Sequence, residues 1–318
     1  MNILKKEFGD ITHSVNDVQS YLGMLIEKLP NEGIKVSMDA YIGSILEENK
    51  VEGSAVTPAT IDLFKLDESE LLNDIEKSKF HTITAKLLYA SKRVRIDIQT
   101  AVAFLCTRVN APNIGDWNKL QRVLKYLNAY PNEYLILNAD RNIHVELFVD
   151  ASWGSHPIGG RSHTGVFLTI GGGPIYTKSS KQKMTCASST EAELVALMEG
   201  VSITLWLMKF LKAQGENVTY FDIYEDNKGV VALINGDMQQ VLQQRHYNVK
   251  YNTVRDLVKK YKTARLTYCP TDKMWADFLS KALQGSSFRE MSSVIMNSGT
   301  SNQLKMKGVL SNKVVAIK

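Results

Sequence analysis

Four acidic residues, Asp150, Glu193, Asp226 and Asp277, stand where their side chains could do chemistry. Asp150 and Asp226 each end an apolar stretch that is typical of a strand, and Asp277 lies in a segment with helical spacing. Taken singly, each aspartate has a structural explanation, since Asp is common in turns, at helix N-caps and in first helical turns. The glutamate is harder to explain by local structure.

Glu193 belongs to a helix expected over residues 189–213, which also contains Glu191. Glu191 follows Ser188 by three residues, so the two fit a capping box in which the Glu191 carboxylate accepts from the Ser188 amide. Glu193 has only apolar or small neighbours at three, four, seven and eight residues, so it should face the sheet. A buried carboxylate without a partner is costly. We therefore expect beside Glu193 either a cation or a salt bridge to a buried lysine or arginine.

The four acids come from two strand ends and two helices of one predicted domain. Clusters of oxygen ligands suit Mg²⁺ or Mn²⁺, which keep waters that substrate phosphates can replace. Two such ions about 4 Å apart can activate a water and stabilise the leaving oxygen of a phosphodiester. The four acids together therefore predict a hydrolytic site with divalent metal ions.

The elements that position these acids follow from the apolar pattern of residues 141–290. Three apolar stretches, at 143–150, 164–170 and 174–178, predict an antiparallel meander. After the helix at 189–213, the expected order is strand, helix, helix, strand and helix, at 220–226, 227–235, 246–262, 264–269 and 274–283. This order predicts an α/β fold, a mixed five-stranded sheet with helices on both faces.

The residues upstream predict a mostly helical region. Residues 19–26 indicate a strand, and a helix is expected over 37–48 with Ser37 as its cap. The acidic stretch 51–80 is typical of a partly exposed connector. Apolar residues spaced by three and four within 80–128 predict amphipathic helices.

Four segments around the acids resemble the catalytic segments of the ribonuclease H domain of Ty1/copia-type retrotransposon polyproteins. They are FVDASW (148–153), SSTEAELVAL (188–197), YEDNKG (224–229) and WADFLSKAL (275–283). Further matches at 161–182 and 245–258 extend this resemblance over the whole of 141–290.

The resemblance continues upstream of this domain. YLGMLIE (21–27) and YIGSIL (41–46) are similar to the end of the reverse transcriptase palm and the segment after it, and 85–102 and 116–127 are similar to the thumb and connection. We therefore expect four parts: a palm and thumb remnant (1–50), a linker and helical connection (51–140), a ribonuclease H-like domain (141–290) and a basic, disordered tail (291–318).

The resemblance implies an endoribonuclease that cleaves the RNA strand of RNA–DNA hybrids with two Mg²⁺ or Mn²⁺ ions. Asp150, Glu193 and Asp226 would hold one ion, and Asp150 with Asp277 the other. Cleavage would leave 5′-phosphate and 3′-hydroxyl ends. The hybrid would be recognised by its minor-groove shape and 2′-hydroxyls, and not by base sequence.

Six further residues are candidates for nucleic-acid contact. The group that follows the third strand could track the DNA backbone or form only a solvated loop: Lys178, Lys181, Gln182 and Lys183. Asn227 follows the third catalytic aspartate. His246 heads a helix, where it could contact substrate or serve only as a helix-start residue.

Composition constrains the partners and the compartment less strongly. The net charge is +5, but the last 28 residues carry four lysines and no acid, so the rest of the chain is close to neutral. Bulk charge alone does not predict a nucleic-acid partner. Three widely spaced cysteines indicate free thiols in a reducing compartment. We expect an intracellular protein, cytoplasmic or nuclear, or within a virus-like particle in an intact element, with no membrane partner.

The sequence departs from the family in two respects. The paired aspartates of the polymerase motif would lie before residue 1, so no DNA synthesis is expected, and the missing polymerase portion is a possible partner. Many cellular ribonucleases H carry a histidine before the last aspartate, whereas residues 268–271 read Tyr-Cys-Pro-Thr. Two alternatives therefore stay open: an inactive, nucleic-acid-binding relic, and a structural subunit whose apolar face over 116–127 would be exposed.

Overall fold

The computed structural model describes residues 2–10, 16–30, 33–137, 143–236 and 245–298. A short helix, α1 (Asn2–Phe8), precedes a hairpin of β1 (Val18–Tyr21) and β2 (Met24–Lys28). Leu22 and Gly23, both at positive φ, form the turn between them. The strand expected over 19–26 is therefore two strands, because a chain that reverses at two left-handed residues cannot continue straight.

The hairpin belongs to a four-stranded antiparallel sheet that is completed from far along the chain. β3 (Ile34–Ser37) pairs with β2, and β4 (Leu135–Leu137) pairs with β3. Ser37 is therefore a buried strand residue, and its expected role as a helix cap is wrong. The helix α2 (Asp39–Glu48) begins two residues later, with no side-chain cap bond from Met38.

Three helices follow, α3 (Asp74–Arg93), α4 (Gln99–Cys106) and α5 (Ile114–Ala129). Capping boxes start α3 and α5: in each, the side-chain oxygen of an asparagine, Asn73 or Asn113, accepts from the amide three residues on. The apolar face of α5 is fully buried at Leu120, Val123, Leu124 and Leu127. The structural-subunit alternative predicted an exposed apolar face on this helix. In the structure, α2, α3 and α4 cover that face of α5.

The second sheet has five strands in the order β7-β6-β5-β8-β9. These are β5 (Val145–His156), β6 (Arg161–Ile170), β7 (Gly173–Lys181), β8 (Phe221–Glu225) and β9 (Ala264–Tyr268). The first three are antiparallel neighbours, while β8 runs parallel to β5 and β9 parallel to β8. The predicted mixed five-stranded sheet is confirmed.

Helices cover both faces of this sheet. On one face, α6 (Ser189–Ala213), α7 (Lys228–Asn235) and α8 (Arg245–Arg255) pack on alternate strand residues such as Leu147 and Ile223. On the other, α9 (Asp277–Ser280) and α10 (Gly285–Ile295) join α3–α5 in one core that includes Phe148 and Phe167. α6 is long and apolar enough to cross a membrane, but half of its apolar window is buried, as in the core helix of a globular domain.

Three element ends differ from the sequence predictions. α8 ends at Arg255 and continues as a π-helical turn over Asp256–Lys260. The helix expected over 274–283 is regular only over Asp277–Ser280, because Lys281 takes an extended backbone conformation. α10 runs past the expected start of the tail at 291, since the core buries Met291, Val294 and Ile295. Residues 299–318 lie outside the described residues, and the four-part division of the chain stays a prediction.

Candidate metal centre

Asp150 lies inside β5 and not at its end. The strand continues to His156, and Asp150 pairs with Gly165 of β6. Alternation along the strand places Asp150 on the same face as Phe148, towards α9, where it is 2% exposed. The turn explanation for Asp150 is therefore wrong.

The glycine opposite Asp150 allows the last acid to approach. A Cβ on Gly165 would clash with the Ala276 carbonyl oxygen and lie 3.1 Å from the Ser280 amide. This close passage brings the first turn of α9 against the strand, and the Ser280 hydroxyl donates a short hydrogen bond to Asp150 Oδ2. Asp277, in the same turn, is buried and points to the same place as Asp150.

Glu193 is buried against the sheet, as its helical neighbours predicted. Its Oε2 has no hydrogen-bond partner among the described residues, and none of the ion pairs between described residues includes it. The expected alternative, a salt bridge to a buried base, is therefore not seen in this part of the chain. Glu191 is occupied at the helix start, although it accepts from the Ala187 amide at 2.8 Å and not from Ser188.

Asp226 follows β8 and is not the N-cap of α7, the role that would have explained an aspartate at this position. The N-cap of α7 is Asn227, whose Oδ1 accepts from the amides of Gly229 and Val230. Asp226 Oδ2 instead accepts from the Thr271 hydroxyl at 3.2 Å. Thr271 lies in the short segment between β9 and α9, where residues 268–271 include no histidine.

The acids form two groups that share Asp226. Ligand oxygens of Asp150, Asp226 and Asp277 all lie within 4.8 Å of one another, and so do those of Glu193, Glu225 and Asp226. The four predicted acids therefore meet at one end of the sheet. Their grouping differs from the expected one, because Glu193 is placed with Glu225 and Asp226.

Burial and repulsion between like charges raise the pKa of several of these carboxyl groups. Burial, followed by the charges of Glu225 and Asp150, raises the pKa of Glu193 well above its usual range. Burial also raises the pKa of Glu225. The pKa of Asp277 is raised to about 7 by burial and by the charge of Asp150.

Within the part of the chain that the structure describes, a base that was not predicted from the sequence, Lys281, lies among the acids. Lys281 Nζ lies 2.8 Å from Asp277 Oδ1 and 3.3 Å from Asp150 Oδ1. Although burial disfavours its charged form, the charge of Asp150 and then that of Asp277 raise the pKa of Lys281. Its position four residues after Asp277 was the available signal, because side chains four apart share a helix face.

Glu225 was also missed. It is the last residue of β8 and is fully buried, on the face that carries Phe221 and Ile223. The alternation of apolar residues along β8 was the signal, since it places Glu225 where an apolar residue is normal.

The donor set fits a hard divalent cation. All five acids offer carboxylate oxygens, the ligands that Mg²⁺ and Mn²⁺ prefer. Two buried oxygens, Glu193 Oε2 and Glu225 Oε2, have no hydrogen-bond partner among the described residues. Buried charges need a compensating partner, and within the described part of the chain the ion pairs of Lys281 are with Asp150 and Asp277, not with Glu193 or Glu225.

The candidate nucleic-acid contacts differ in accessibility. Gln182 is 1% exposed, and its amide binds Thr164 Oγ1 and the Ala192 carbonyl oxygen, so its assignment as a backbone contact is wrong. Lys183 is exposed, and Lys181 Nζ donates to the Ile158 carbonyl oxygen.

The other three candidates are placed as follows. Lys178 forms an ion pair with Glu199 at 2.9 Å. The Asn227 Oδ1 is occupied by the helix cap. His246 lies in α8, but its side chain lies outside the described part of the structure.

Sequence comparison identifies relatives over nearly the whole chain. It is 24% identical over 299 residues to the retrovirus-related Pol polyprotein from transposon TNT 1-94 of Nicotiana tabacum, covering 90% of this chain and 22% of the relative. It is 23% identical over 305 residues to the truncated transposon Ty1-A Gag-Pol polyprotein of Saccharomyces cerevisiae, covering 90% and 25%. No protein-family model matches the chain.

Among solved structures, RNase H1 from the halophilic archaeon Halobacterium salinarum aligns with 43% of this chain and 91% of its own, at 16% identity and a TM-score of 0.31.

The order and directions of the five strands confirm the expected ribonuclease H-like fold class. The chain spans about a fifth to a quarter of the length of the curated relatives that it matches. Over nine-tenths of its length, therefore, this chain is a relative of Ty1/copia-type retrotransposon Pol polyproteins.

Proposed function

We propose that this chain is a ribonuclease H that cleaves the RNA strand of RNA–DNA hybrids with divalent metal ions. One observation carries the proposal: Asp150 of β5, Glu193 of α6, Asp226 just after β8 and Asp277 of α9 are brought together in two carboxylate groups that share Asp226. The relationship to Pol polyproteins supports the choice of substrate. The fit of the carboxylate donors supports Mg²⁺ or Mn²⁺.

Each acid has a separate part in this proposal. Asp226 belongs to both carboxylate groups, so it would bridge two ions. Asp150 and Asp277 would complete one group, and Glu193 the other. Bound ions would supply Lewis-acid stabilisation of the scissile phosphate and of the leaving oxygen.

The chain's own residues orient the acids. Ser280 fixes one oxygen of Asp150 by its hydrogen bond, and Thr271 fixes one oxygen of Asp226. Lys281 holds Asp150 and Asp277 together by contacting both. Among the predicted contacts with the nucleic-acid backbone, Lys183 is exposed and Lys181 is half-buried, and Lys178, Asn227 and His246 stay predictions.

The direct test is hydrolysis of a hybrid whose RNA strand is labelled, with Mg²⁺ or Mn²⁺, by the full chain and by the Asp226→Asn variant. We expect cutting of the RNA strand by the wild type and a loss of at least about a hundredfold in the variant, since Asp226 belongs to both groups. A DNA duplex and free RNA serve as substrate controls. Folded wild-type protein that leaves the hybrid intact with both metals would refute the proposal and favour the inactive, nucleic-acid-binding alternative.

A further inference from the structure

A buried glutamate beside the four predicted acids has no local structural need for its charge. Glu225 ends β8 and is fully buried on the face that packs against α6. Phe221 and Ile223, four and two residues before it, belong to the apolar core of that face. An apolar residue at this position would continue the core without any cost of desolvation.

The two carboxylate oxygens of Glu225 have different surroundings. Oε1 accepts a hydrogen bond from the Asn227 amide at 3.0 Å and so supports the turn into α7. Oε2 is buried and has no hydrogen-bond partner among the described residues. A side chain needed only for the turn would be satisfied by Oε1, because one acceptor suffices for one amide.

The surroundings of Glu225 are acidic, and none of the ion pairs between described residues includes it. Ligand oxygens of Glu225, Glu193 and Asp226 lie within 4.8 Å of one another. Lys281 forms its ion pairs with Asp150 and Asp277, in the other group. Three carboxylates this close in a buried place need a compensating charge, and an ion with several open coordination positions satisfies all three.

We infer that Glu225 is a fifth metal ligand, which binds through Oε2 the divalent ion held by Glu193 and Asp226. This inference rests on one part of the proposed function, namely that these acids form a metal centre. It assigns three carboxylates to one ion and makes that ion the more tightly bound, since Lys281 already compensates part of the charge at Asp150 and Asp277.

Calorimetric titration of Mn²⁺ into the full chain without nucleic acid tests this assignment. Glu225→Gln keeps an oxygen acceptor for the Asn227 amide and removes the charge. We expect its Mn²⁺ affinity to fall at least about tenfold. The matched control is Glu146→Gln, another buried strand glutamate, about 13 Å from Asp150 along β5. It should bind Mn²⁺ as the wild type does.

The outcomes separate this inference from the proposed function. Equal Mn²⁺ affinity in Glu225→Gln and the wild type, with weakened binding in Asp226→Asn, would overturn it, and so would a wild type that binds no Mn²⁺. Weakened binding in Glu225→Gln together with an uncut hybrid would support it while refuting the nuclease. If Glu225→Gln does not fold, Glu225→Asp keeps the charge but withdraws the carboxylate, and unchanged affinity in that variant would overturn the inference.

Discussion

At the scale of single residues, the candidate metal centre has an excess of acidic over basic side chains. Five carboxyl groups, that of Asp226 among them, form the centre, and among the described residues the base that forms ion pairs with them is Lys281. In the absence of metal, burial and the neighbouring charges raise the pKa of Glu193, Glu225, Asp226 and Asp277 and so favour their protonated forms. Metal binding and proton release should therefore be linked at this site.

Asp277 makes this linkage measurable. Its pKa of about 7 in the folded protein lies above the ordinary value of 3.8. Between those values the folded state holds a proton that the unfolded state has lost, so the free energy of unfolding should fall as pH rises from about 4 to about 7. Asp277→Asn should flatten this dependence, with a difference on the order of a few kcal/mol across the window.

Urea unfolding of both proteins at several pH values, with a chelator present, provides the measurement. The same titration with Mn²⁺ is the control, because a bound cation favours the ionised carboxylate and should reduce the dependence in the wild type. Identical slopes for the two chelated proteins would contradict the raised pKa of Asp277.

At the scale of elements, one close contact positions two of the five acids, Asp150 and Asp277. Gly165 faces Asp150 across the β5–β6 pair, and its missing side chain leaves room for the backbone of α9. The four-residue α9 has little stability of its own, because so short a helix does not nucleate in isolation. Its place is therefore set by the Gly165 contact and by the buried side chains of Phe278 and Leu279.

Gly165→Ala should displace α9 from the sheet. We expect a loss of about 1–3 kcal/mol in the free energy of unfolding, as for other overpacked sites, and a weaker affinity for Mn²⁺ because Asp277 moves with the helix. Thermal unfolding and calorimetric titration measure the two effects. The matched control is Gly43→Ala in α2, where an added Cβ meets nothing within 4 Å. Mn²⁺ affinity equal to that of the wild type would show that α9 tolerates the methyl group.

At the scale of the whole molecule, one apolar core links the upstream helices to the five-stranded sheet. It contains α3–α5 residues together with Phe148, Phe167, Phe278 and Phe288. Polar contacts cross the same boundary, since the Thr100 hydroxyl donates to the Phe278 carbonyl oxygen at 2.7 Å. Phe64, from the stretch expected to be a connector, packs on the rings of His156 and His163.

This shared core predicts that the sheet domain depends on the upstream helices. A fragment of residues 143–298 should expose the apolar face that α4 and α5 cover in the full chain, and so should self-associate. Light scattering and the binding of a hydrophobic dye, compared with the full chain at equal concentration, test this expectation. A monomeric fragment that melts at the temperature of the full chain would support an independent domain and contradict the dependence.

Much of the site was predictable because its signals are local. Glu193 was recognised from the apolar residues around it on one helix, and Asp150 and Asp226 from the strands that they follow or occupy. The sequence did not show whether Asp226 or Asn227 caps α7, because both residue types cap helices well. In the structure the cap is Asn227. Gln182 was misassigned because a polar residue after a strand is normally exposed, whereas here it binds the Ala192 carbonyl oxygen inside the domain.

The sequence by itself determined the order of the strands and helices from β5 to β9, the four acids and the relationship to Pol polyproteins, because periodicity, capping and motif spacing are properties of neighbouring residues. Only the tertiary structure decided which acids group together, and it added Glu225 and Lys281 to the centre. It also decided that β4 completes the first sheet and that α10 closes the core. These features depend on contacts between residues far apart in the chain. The burial and the charged neighbours that result from such contacts cannot be inferred from a local sequence pattern.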